Sequence, residues 1–134
     1  MPKVVPDTNV LVSAFFFDGN ERRVVELARE GKIELIVSDE ITGELIGVLT
    51  EKFGVSVTDV TAFVVRLLSI SKHVKPRSRI DVKLRDESDV IILRTAYDGD
   101  ADFIVTGDDD LLSMGKFGKI RIVRGRNLVD LIQR

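Results

Sequence analysis

Val4-Val5-Pro6-Asp7-Thr8-Asn9 decides the fold. A short apolar, strand-like run ends in an acid, and a helical pattern begins at once. Asp7 therefore stands at the carboxyl end of a strand and the mouth of a helix. In open α/β sheets ligands bind at that edge. Asp7 reads as the first carboxylate of a metal site. The plain alternative is a helix-capping acid, worth about 1 kcal/mol.

Downstream of this stretch, strands and helices alternate. Asn9 to Phe17 is apolar on most faces and reads as a buried helix, closed by the turn residues Asp18-Gly19-Asn20. Glu21 to Lys32 is amphipathic, with Gly31 as its stop signal. Ile33 to Val37 is a continuous apolar strand of the doubly buried kind. Ser38 or Asp39 then caps a helix to about Phe53, and a further helix spans Thr58 to Ser71. His73-Val74 is a short strand, and Pro76 to Arg85 a loop. Asp86 or Ser88 caps a helix to about Tyr97, followed by a strand at Phe103 to Val105 and a short helix from Asp109 to Met114. Lys119 to Val123 is the last strand, and Asn127 to Gln133 a closing helix. The alternation predicts one domain over residues 1–134, an α/β/α three-layer sandwich with a mostly parallel sheet.

Composition narrows the chemistry. The 134 residues are 44% hydrophobic and 31% charged, enough for one cored domain. The absence of cysteine excludes disulfides, thiolate metal sites and a cysteine nucleophile. With His73 the single histidine, any metal is held by oxygen, which favours Mg²⁺ or Mn²⁺. No apolar run is long enough for a membrane helix and no signal peptide is visible, so the cytoplasm is the expected location. A net charge of −2 argues against binding nucleic acid through global charge, leaving local patches.

Three further acidic positions stand out, the last of them a run. Glu44 borders the apolar stripe Ile41, Leu45, Val48, Leu49 instead of facing away from it; a boundary glutamate reaching to water is the plain alternative. Asp89 lies in the first turn of its helix, within an Asp86-Glu87-Ser88-Asp89 run that has more acid than capping requires. Thr106-Gly107-Asp108-Asp109-Asp110 sets three successive acids after a buried strand. Two carboxylates about 4 Å apart repel by about 4 kcal/mol at an effective dielectric near 20. Acids that converge without balancing lysines require a cation, one or two Mg²⁺ or Mn²⁺ ions. Such an ion activates water and stabilises the attacking and leaving oxygens of a phosphodiester. That chemistry needs no histidine, serine or cysteine.

Together, Val4-Val5-Pro6-Asp7-Thr8-Asn9-Val10-Leu11, Glu44 after the second strand, Asp89 with Ala96 seven residues on, and Ala101-Asp102-Phe103-Ile104-Val105-Thr106-Gly107-Asp108 resemble the PIN-domain ribonucleases. The resemblance is strongest to the small stand-alone members proposed as toxin halves of toxin–antitoxin pairs. It implies a five-stranded parallel sheet and Mg²⁺- or Mn²⁺-dependent cleavage of single-stranded RNA. It also implies an acidic quartet of Asp7, Glu44, Asp89 and Asp108, with Asp110 as auxiliary ligand and Asn9 and Thr106 supporting the carboxylates. A homodimer and a small antitoxin protein are the implied partners. Departures exist. Pro6 removes a ladder donor beside Asp7, and Glu87 and Val90 stand where relatives often carry Pro and Asp.

Phosphate contacts are expected from two basic stretches, Lys72 to Arg85 and Lys116 to Arg126, chiefly Lys116 and Arg121, and from Arg22 and Arg23. Phe15, Phe16 and Phe17 could stack bases but suit core packing or a dimer interface better. One rival is a non-catalytic PIN-fold module that binds RNA or protein. The other is a haloacid-dehalogenase-like phosphatase, which needs an acid where this chain has Asn9.

Overall fold

The computed structural model describes residues 1–133. Strands β1 (Lys3–Pro6), β2 (Glu34–Val37), β3 (Ser71–His73), β4 (Phe103–Val105), β5 (Lys116–Phe117) and β6 (Ile120–Val123) form one sheet in the order β3-β2-β1-β4-β6-β5. The helices are α1 (Thr8–Phe16), α2 (Asn20–Arg29), α3 (Asp39–Gly47), α4 (Val57–Ser69), α5 (Glu87–Asp98), α6 (Asp109–Met114) and α7 (Gly125–Gln133). Five strands are parallel, and only β5 runs antiparallel, against β6. Helices cover the sheet in the α/β/α manner that the alternation of elements predicts.

The two-residue β5 adds a sixth strand to the five expected. It is too short to carry a readable period, and Gly118, at φ 59°, makes its turn. The helix expected to run unbroken to Phe53 instead passes from α3 into a π-helical turn, Val48–Lys52. There the Thr50 hydroxyl donates to the carbonyl of Ile46 at 2.8 Å, a side-chain bond that competes with regular helical pairing.

Strand order explains where a ligand can bind. The chain leaves β1 toward β2 and β3, then returns across it to place β4 on β1's other side. The direction of winding therefore reverses between β1 and β4, and the crevice outside their carboxyl ends is the binding position of such sheets. Val4, Val5, Leu35, Ile36, Val37, Ile104 and Val105 are fully buried, as strands covered on both faces require. Pro6 shortens one ladder. Pairing of β1 with β2 extends to Val4–Leu35, whereas pairing with β4 continues to Pro6–Val105. Asp7 is nonetheless held in place, because its backbone N–H donates to the Val105 carbonyl at 2.9 Å.

Candidate metal centre

Each acid of interest is delivered by a helix start at the carboxyl edge of the sheet, or by a helix packed beside it. Asp7 ends β1 and caps α1, accepting from the Asn9 backbone N–H at 3.4 Å. Its other oxygen accepts from the Thr106 hydroxyl at 2.7 Å. Thr106 Oγ1 in turn accepts from the Asp108 backbone N–H at 3.0 Å. One buried hydroxyl thus ties the end of β1 to the turn after β4. Asp108 caps α6 through the Leu111 N–H at 3.0 Å. Asn9 supports Asp7 through its backbone, and its side chain is exposed.

Asp89, Asp108 and Asp110 form the tightest group. They offer carboxylate oxygens that all lie within 4.8 Å of one another. Asp89 is only 5% exposed, although it lies in the first turn of α5. With Val90 carrying no acid, the third carboxylate of this group comes from Asp110.

Glu44 stands differently. It is solvent-exposed on α3 and lies outside the tight group, yet the charges of Asp7 and Asp86 act on it. Asp86, which sequence reading treats only as a cap, is thus a sixth acid near the site; its charge also acts on Asp89. Thr8, buried just after Asp7, was not singled out either, and its side chain offsets part of the strain on Glu44. A capping acid beside other acids is the sequence signal that could have found Asp86.

Like charges and burial act together on these carboxyls. Burial pushes the Asp7 carboxyl above its ordinary range, the Asp108 charge adds to this, and the Thr106 hydroxyl opposes it. Partial desolvation raises Glu44 as well, exposed though it is, with Asp7 and Asp86 reinforcing the shift. Asp89 is pushed up to about 7, first by burial, then by the charge and hydrogen bond of Asp108. Desolvated like charges lift a carboxyl pKa in this way. An all-oxygen donor set on a rigid sheet edge suits Mg²⁺ or Mn²⁺. These residues therefore fit such an ion.

The basic candidates divide. Arg22 donates to the carbonyls of Ala14 and Phe15, both at 2.9 Å, closing the end of α1. Arg23 pairs with Glu30 at 2.7 Å and with Glu26 at 3.8 Å. Arg22 thus ties the end of α1 to α2, and Arg23 pairs along α2 itself. Lys116 and Arg121 face each other across the β5–β6 hairpin, with Arg121 over the Phe103 ring at 5.5 Å. The basic groups that reach the acids are Arg85, 3.8 Å from Asp110, and Arg124, 3.8 Å from Asp109. His73, given no role from sequence, pairs with Asp39 at 2.7 Å. Phe15 packs edge-on against Phe63, while Phe16 and Phe17 are 41% and 68% exposed.

No helix among the described residues is long and apolar enough to cross a membrane. A search of curated proteins finds no match to the chain. The family model of the PIN domain matches residues 3–110, a stretch that includes Asp7, Glu44, Asp89, Asp108 and Asp110. With its winding reversal, its crevice acids and this match over most of its length, the chain belongs to the PIN-domain family, whose members are generally nucleases.

Proposed function

We propose that this protein is a Mg²⁺- or Mn²⁺-dependent ribonuclease that cuts single-stranded RNA by hydrolysis. The observation that carries this reading is the convergence of Asp89, Asp108 and Asp110 within 4.8 Å, beside the Thr106-linked Asp7. Asp89, Asp108 and Asp110 would hold the ion, with Asp7 and Glu44 completing its surroundings. Bound there, the ion supplies Lewis-acid activation of water and charge stabilisation at the phosphodiester. The chain's own work is positional. Thr106 fixes the Asp7 carboxylate and the Asp108 backbone together, and the α6 cap fixes the Asp108 side chain. Glu44, exposed and raised, would accept the proton that the attacking water gives up.

A toxin–antitoxin setting in the cytoplasm is the biological context that the resemblance supports. A homodimer is supported by α4, where Val57, Val65 and Leu68 are 75%, 60% and 42% exposed while Val60, Val64 and Leu67 are buried. That apolar sector is wider than one packed face needs. Incubation with single-stranded RNA and with p-nitrophenyl phosphate, each with Mn²⁺ or EDTA, tests the activity. The expected result is RNA cleavage with Mn²⁺ only and no phosphatase activity. Cleavage that persists in EDTA, or silence on RNA, refutes it.

A further inference from the structure

Two arginines stand at the carboxylate rim and are scarcely used within the fold. Arg85 immediately precedes Asp86, the cap of α5, whose side chain accepts from the Ser88 N–H at 3.0 Å and whose carbonyl accepts from the Asp89 N–H at 3.2 Å. Upstream, the loop is clasped to α5. The backbone N–H groups of Arg77 and Ser78 donate to Asp98 at 2.6 and 2.9 Å, and Arg94 Nε donates to the Ser78 carbonyl at 2.8 Å. Arg124 follows β6, and its carbonyl accepts from the N–H groups of Asn127 and Leu128, both at 3.1 Å, as α7 begins. Arg124 is thus anchored through its own backbone, and Arg85 stands beside the anchored cap residue Asp86.

Their guanidinium groups are not anchored in this way. Arg85 is 91% exposed, and its contact with Asp110 is a single one at 3.8 Å. Among the described residues Arg124 makes one ion pair, also at 3.8 Å, with Asp109, itself 97% exposed. Exposed pairs of this length contribute about 0–1 kcal/mol, so stability does not account for them. Arg22, Arg23 and Arg94, by contrast, each make shorter bonds of 2.7–2.9 Å within the molecule. Asp109 and Asp110 are successive residues of one helix, so their side chains point about 100° apart. Arg85 and Arg124 accordingly approach the first turn of α6 from different directions, with Asp108 at its cap.

We propose that Arg85 and Arg124 form a two-point clamp for an RNA backbone, gripping phosphates on either side of the bond presented to the carboxylate crevice. The clamp rests on the nuclease reading above. A guanidinium matches the planar, bidentate geometry of a phosphate, and exchanging a long, exposed carboxylate contact for it costs little. The arrangement also explains how a chain of net charge −2 holds a polyanion against a crevice of acids. Two cations at the rim set the register of the strand without neutralising the centre. Both are positioning residues.

Fluorescence anisotropy with a labelled single-stranded RNA, in EDTA and over a series of salt concentrations, tests this without cleavage. Each of Arg85→Gln and Arg124→Gln is expected to weaken binding several-fold. Each should also lower the slope of log affinity against log salt by about 0.7, as loss of one phosphate contact to a single strand does. Arg→Lys at either position should restore the slope. Lys32→Gln, which removes a charge paired with Glu30 between α2 and β2, should leave slope and affinity unchanged. Melting temperatures of the glutamine variants should match the parent, which separates the clamp from a structural role. If the parent cuts RNA but both glutamine variants keep its salt slope, the clamp is wrong and the nuclease reading stands. If the parent neither binds nor cuts RNA, both fall.

Discussion

Thr106 is the side chain on which the crevice turns. It donates to Asp7 and accepts from the Asp108 backbone, and it is 1% exposed. Thr106→Val keeps its shape and removes both bonds. Groups that orient metal ligands typically cost 10–100-fold in affinity or activity when lost. Cleavage by Thr106→Val should fall by about that factor, read as kcat under saturating Mn²⁺. Asp108→Asn should reduce it further, to the level of the assay background, while the fold persists; near-parental cleavage would remove Asp108 from the site. Asp89 adds a pH signature. Its carboxyl sits at about 7 in the folded chain against 3.8 ordinarily, so the folded state binds that proton more tightly. The resulting stabilisation is fully present below about pH 4 and is lost as pH rises through about 7. In EDTA, melting temperature should therefore decline between pH 5 and pH 8, and Asp89→Asn should flatten the decline. Three of the acids were legible because each follows a strand or opens a helix. The sequence leaves open whether Glu44 turns inward or to water, and names Asp110 only as an auxiliary, because both depend on how far neighbouring helices lean.

Among the elements, α3 and α5 matter most, because they bring Glu44 and Asp89 to the sheet edge. They are joined by Ser38 and Thr95, both fully buried, with hydroxyl oxygens 3.2 Å apart. Ser38 also caps α3, accepting from the Ile41 N–H at 3.3 Å. Ser38→Ala should cost about 1 kcal/mol, within the range for a lost cap, measurable by urea denaturation. At the far end of α5, a Cβ on Gly99 would stand 2.9 Å from the Thr95 carbonyl oxygen and 3.0 Å from Ile36 Cγ2. Gly99→Ala should therefore destabilise by about 1–3 kcal/mol, the range for overpacking. Here sequence reading serves well where an apolar run meets a turn with a capping acid: the strand at Phe103–Val105 and the helix Asp109–Met114 have the bounds expected. It failed where local pattern carries no information. A π-helical turn arises from hydroxyl and backbone competition at Thr50, and β5 exists only because β6 offers it a partner.

For the molecule as a whole, like charges are gathered at one rim of a well-buried sheet, and stability should respond to whatever neutralises them. Mn²⁺ at about 100 times its dissociation constant should add about 2.7 kcal/mol by linkage, seen as a rise in melting temperature. Asp108→Asn should abolish most of that rise. An unchanged parental melting curve would mean that the acids do not form a site. The lateral borders of the sheet carry a different consequence. One border is β3, three residues long and bearing Lys72 and His73 outward; the other is the two-residue β5. Stubby, charged margins are poor templates for strand addition. Copies of this chain should therefore never splice their sheets into a continuous ribbon, and any assembly they form must be built helix against helix.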